Sequence, residues 1–99
     1  MSKLTDLFQA VKEENLDKDR LESYHKELSE MYQMMHLELG EVKKKKALYM
    51  LKFDNETNAE ILRRWSGSDD GLREIELKSY IRATSTTLSS IKNRLYSQY

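Results

Sequence analysis

The chain has 99 residues, 38% hydrophobic and 34% charged, with three Gly, no Pro and no Cys. A chain of this size makes one domain with a core near the lower limit for standing alone, so association with further chains is the natural way to bury more. The absence of Cys excludes disulfide frameworks, thiolate zinc sites and cysteine nucleophiles. No stretch has the length and apolarity of a membrane span or a signal peptide, so a soluble cytoplasmic protein is expected.

Residues 1–15 read as a short N-terminal amphipathic helix, with Leu4, Leu7, Phe8 and Val11 on one face and Ser2 or Thr5 as cap. After a polar joint, Asp19 with Glu22 has the chemistry of a capping box at the start of a long helix over 19–65. Leu21, Tyr24, Leu28, Met31, Met35, Leu39 and Val42 step by three or four, the spacing of one helix face. A second series, Leu48, Leu51, Leu62 and Trp65, resumes it beyond a run of lysines. From Leu21 to Trp65 a continuous helix would be a rod of about 67 Å, too long to cover its own stripe without a partner segment.

Two weak points lie inside that helix. Gly40 either permits close backbone approach or marks a bend. Residues 54–58 gather poor helix formers, but with neither Gly nor Pro among them continuity is the favoured expectation; the alternative is a break, with Thr57 and Glu60 capping a fresh helix. Residues 66–71, Ser-Gly-Ser-Asp-Asp-Gly, read as a reversal in which Asp69 or Asp70 caps the return helix over 72–99. On that helix Leu77, Ile81, Thr84, Leu88, Ile91 and Leu95 alternate steps of four and three, a coiled-coil seam. The expected fold is all-α: a long helical hairpin with a short N-terminal helix and coiled-coil-like packing. It is expected to be a homo-oligomer, with Leu77, Ile81, Leu88, Ile91 and Leu95 as the interface.

The formal net charge of zero hides a gradient. Residues 1–40 hold nine acids and five bases, whereas residues 41–99 hold eight acids and twelve bases. Such asymmetry reflects either head-to-tail attraction between chains or a basic surface for a polyanion. Lys43, Lys44, Lys45 and Lys46 fan around most of a helical turn, so at least one of them must snorkel, pair with an acid, or face something anionic. Lys52, Arg63, Arg64 and Arg82 extend the basic character, and aromatics interleave with them at Tyr49, Phe53, Trp65, Tyr80, Tyr96 and Tyr99. Cations that follow a phosphate backbone and rings that stack on bases are what hold single-stranded nucleic acid, although in a helical protein the same rings also serve as core. Trp65, next to Arg63 and Arg64, is the best single candidate for stacking. The hydroxyl cluster around Thr84 suits close helix packing.

Enzymatic chemistry finds little footing. Glu22 and His25 have the spacing of a helix-bundle di-iron ligand pair, but the position three before His36 is Gln33, so the second pair is missing. No phosphate loop, serine elbow or paired-carboxylate arrangement is present, and neither a metal nor a cofactor is expected.

The lysine run leading into Ala47-Leu48, the segment Ile61-Leu62-Arg63-Arg64-Trp65-Ser66-Gly67, and the acidic Gly turn before a basic return helix resemble the T4-type phage recombination mediators. The resemblance covers Leu21 to Tyr99. It implies a ring-like homo-oligomer that binds single-stranded DNA and helps a recombinase replace single-strand-binding protein, with Arg63, Arg64 and Lys43 to Lys46 as DNA contacts. The chain departs from the family in its shorter length, in much of the terminal extension, and in the polar insert at 54–58. The leading expectation is therefore a non-catalytic single-stranded nucleic-acid-binding accessory protein. The rival is a protein-interaction module, an adaptor, inhibitor or assembly subunit, that docks its helices on another protein without touching nucleic acid.

Overall fold

The computed structural model describes residues 2–53 and 55–98; Met1, Asp54 and Tyr99 lie outside the described residues, as does the side chain of Ser2, one of the two candidate caps. The described chain is all-α and has no strand. Its four helices are α1 (Ser2–Val11), α2 (Lys18–Leu51), α3 (Asn58–Gly67) and α4 (Asp69–Gln98). Among the described residues, no helix is long and apolar enough to cross a membrane.

Capping chemistry sets most of the boundaries. Helix α1 stops at Val11, short of the expected residue 15, and the Arg94 guanidinium donates to the carbonyls of Val11 and Glu13 at 2.7 and 2.9 Å, satisfying acceptors that a helix end leaves open. Helix α2 is capped by Asp17 rather than Asp19, since the Arg20 amide donates to Asp17 Oδ1 at 2.8 Å.

The expectation of one helix over 19–65 is corrected. Helix α2 ends at Leu51, and bonds from Lys52 N to Tyr49 O and from Phe53 N to Met50 O tighten its last turn. Thr57 then starts α3, its hydroxyl accepting the Glu60 amide at 3.3 Å. The Thr57 cap on a fresh helix prevails over propagation of α2, even without Gly or Pro.

The expected six-residue reversal at 66–71 is also corrected, because only Ser68 separates α3 from α4. Its hydroxyl donates to Trp65 O and accepts the Gly71 amide at 3.1 Å, so one side chain closes α3 and caps α4. Asp69 and Asp70 fall in the first turn of α4, where carboxylates favour the helix dipole. Gly71 is required: a Cβ there would sit 1.7 Å from the Trp65 carbonyl oxygen.

The chain divides into two compact units. The terminal unit joins residues 1–34 to residues 81–99. Its interior is made of Leu4, Leu7 and Val11 from α1, Leu16 from the joint, Leu21 and Leu28 from α2, and Thr84 and Ile91 from α4. The central unit, residues 35–80, buries Met35, Leu39 and Val42 from α2, Ile61 and Trp65 from α3, and Glu74 and Leu77 from α4. On α2 the buried positions 21, 28, 35 and 42 recur every seven residues, and on α4 so do 77, 84 and 91.

Two assignments of side chains change with this. Of the seam residues of α4 expected at an oligomer interface, Leu77 and Ile91 are fully buried within the chain, whereas Ile81, Leu88 and Leu95 are half-buried. Leu48 and Leu51 do not resume the stripe but stand exposed on α2. Steps of four and seven from Val42 keep the phase of the buried face and land on Lys46 and Tyr49, whereas Leu48 is rotated about 240° from it.

Candidate functional site

The continuation of both stripes brings a charged pair into the interior of the central unit. Lys46 follows Val42 by four on α2, and Glu74 precedes Leu77 by three on α4. Lys46 Nζ donates to Glu74 Oε1 at 3.2 Å, and from α3 the Trp65 indole Nε1 donates to the same oxygen at 3.3 Å. Lys78 adds its ammonium 3.9 Å from Glu74 Oε2. The Glu74 side chain is 7% exposed and that of Lys46 27%, so the pair is largely removed from water. Burial pushes the Glu74 carboxyl up, but hydrogen bonds from Lys46 and Trp65 and the charges of Lys46 and Lys78 outweigh it and hold the group below the ordinary glutamate value.

One carboxylate therefore ties together the three helices that meet in this unit. The Trp65 ring is 3% exposed and lies 5.5 Å, centroid to centroid, from Tyr49, which in turn lies 5.0 Å from Phe53. Two of the residues expected to contact nucleic acid thus have partners within the chain. Trp65 has no open face on which a base could stack, and Lys46 is engaged by Glu74.

The other expected contacts are divided. Lys44 pairs with Glu41 at 3.6 Å, Lys45 with Asp70 at 3.8 Å, and Arg64 with Glu56 at 2.8 Å while lying over the Phe53 ring. Lys43, Lys52 and Arg63 are exposed in the central unit, and Arg82 is exposed in the terminal unit; none of these four has an ion-pair partner among the described residues. Arg73 forms a bidentate pair with Glu38 and a further pair with Glu76. The hydrogen bond from Arg73 draws the Glu38 carboxyl below its usual value against the opposing effect of burial.

The sequence gradient of charge does not survive folding. The terminal unit contains eight bases and eight acids, and the central unit nine of each. The acid-rich beginning of the chain shares a unit with its basic end. Each unit is thus neutral as a whole, which removes the long-range attraction that a basic unit would exert on a polyanion.

The central unit also exposes large apolar side chains. Leu37, Leu48 and Leu51 on α2, Leu62 on α3, and Leu72 and Ile75 on α4 all stand in solvent. In the terminal unit, Lys18, Glu22, His25, Lys26, Lys92, Leu95 and Tyr96 line a shallow groove, with the Lys92 ammonium 5.9 Å from the Tyr96 ring centroid. No three His, Cys, Asp or Glu side chains come together as a metal site among the described residues. Comparisons with protein-family models, with curated proteins and with solved structures find no match.

Proposed function

We propose that the chain is a non-catalytic helical interaction module that acts by docking exposed helix faces on another protein chain. The observation that carries this reading is that the central unit, with the Lys46–Glu74 pair held largely inside, leaves six large apolar side chains outside. Those side chains recur at helical spacing, Leu48 with Leu51 on α2 and Leu72 with Ile75 on α4, which makes faces rather than isolated points. The test is crosslinking and affinity purification of the full chain from its source cells. A partner recovered with the wild type is expected to be lost from the Leu48→Asp, Leu51→Asp double variant and retained by the Lys43→Gln, Lys52→Gln, Arg63→Gln triple variant. The opposite pattern refutes the reading.

A second reading keeps single-stranded nucleic acid as the partner, the role implied by the resemblance to recombination mediators. It is supported by Lys43, Lys52, Arg63 and Arg82, exposed and without an ion-pair partner among the described residues. Oligonucleotide binding through the first three would weaken with salt at a log–log slope of about −2, and the triple variant would flatten that slope. No binding at low salt removes this reading.

A further inference from the structure

The outward face of α2 has an internal symmetry. Leu37, Glu41, Lys44, Leu48 and Leu51 step by four, three, four and three, and all lie between 62% and 76% exposed. About a point midway between Val42 and Lys43 this pattern reads the same in both directions by chemistry: Leu37 mirrors Leu48, and the acid Glu41 mirrors the base Lys44.

We propose that this face is a two-fold interface between two copies of the chain, with their α2 helices antiparallel. The inference rests on the reading of the central unit as an interaction surface and names its occupant. A two-fold axis through that point sets Leu37 against Leu48 of the second copy and Glu41 against Lys44 of the second copy.

The charges select this arrangement. A parallel pairing sets Glu41 against Glu41 and Lys44 against Lys44, so like charges oppose each other at the centre. Sliding the antiparallel pair by one heptad sets Leu37 against Glu41, or Leu48 against Lys44, and leaves charges facing apolar groups. Only the central register matches apolar to apolar and acid to base, and the polar pair in the middle of the stripe fixes it, as a single polar position does in a coiled coil. Within one chain Glu41 and Lys44 already pair at 3.6 Å, but as an exposed pair that interaction is weak and leaves both groups open to a stronger cross-chain network. Gly40 borders the stripe with nothing within 4 Å of where a Cβ would stand, so a second helix can approach closely there.

Sedimentation equilibrium on the full chain tests the proposal. The wild type is expected to move from its monomer mass of 11.8 kDa towards twice that value as concentration rises. Glu41→Lys and Lys44→Glu, each confirmed as helical by circular dichroism, should each weaken the dimer at least tenfold, because each sets like charges against one another across the axis. An equimolar mixture of the two variants should dimerise again, because every altered position then faces an opposite charge. A wild type that stays monomeric throughout, or a mixture no better than either variant alone, overturns the proposal. Either result leaves docking on a different protein to be decided by the purification experiment, which reads a separate outcome.

Discussion

The two units solve the same packing problem with apolar cores that differ in one feature, a buried ion pair. In the terminal unit the buried positions of α2 and α4 are Leu21, Leu28, Ile91 and Thr84, with the leucines of α1 filling the space beside them. A cation there, Arg94, works at the margin by holding the end of α1. The equivalent stripe positions of the central unit include Lys46 and Glu74, and its outer faces carry the leucines. Apolar burial alone makes a stable pair of helices but tolerates sliding, whereas a buried ion pair shared by three helices has one geometry in which all its hydrogen bonds are made. The terminal unit is thus built for adhesion. In the central unit register is fixed from within, and apolar surface is free to meet something else.

Substitutions that remove this difference should act in a graded way. The largest effect is expected for Trp65→Ala, which deletes a buried ring together with one hydrogen bond to Glu74 and should cost about 4 kcal/mol in urea unfolding. Gly71→Ala should follow at about 2 kcal/mol, because the new methyl group meets the Trp65 carbonyl and the close joint of α3 and α4 must open. In the terminal unit the sign reverses. The fully buried Thr84 hydroxyl has no hydrogen-bond partner among the described residues, so Thr84→Val, nearly the same shape without the polar atom, should raise stability by about 1 kcal/mol.

Acid should separate the units by a smaller amount. Glu74 and Glu38 both have folded-state values below the ordinary one, so the stability they contribute is complete above the unfolded-state value of about 4.3 and is lost as pH falls through the lower folded-state values. Both belong to the central unit. Trp65, the chain's single Trp, should therefore report loosening below pH about 4, and Glu74→Gln should shift that transition.

The periodic sequence carried the fold class and the short N-terminal helix, because stripes of Leu at steps of three and four leave little freedom in how a helix lies. Thr57 was legible as a cap for the same local reason. Less legible was the tight joint at Ser68, since six turn-forming residues suggest a loop and only the folded backbone reveals that one hydroxyl can serve both helices. The lysine run requires that at least one of its members pair or face an anion, and Lys46 does pair, but its partner is hard to read. Counting outward from Val42 and backward from Leu77 reaches Lys46 and Glu74, but a charged residue at such a position breaks the apolar pattern that makes a stripe recognisable. The charge gradient is a property of chain order alone, whereas folding places the acidic beginning and the basic end in one unit.

The claim at the centre of this account is that Lys46 serves the fold by holding Glu74, and a double-mutant cycle tests it most directly. Lys46→Met and Glu74→Leu alone should each cost about 3 kcal/mol, while the double variant, which still leaves the Trp65 indole N–H without its acceptor, should cost about 3 kcal/mol rather than the sum, a coupling expected of groups in contact or in one network. If the two losses simply add, the pair does not hold the central unit together, and the lysine run must be explained by something outside the chain.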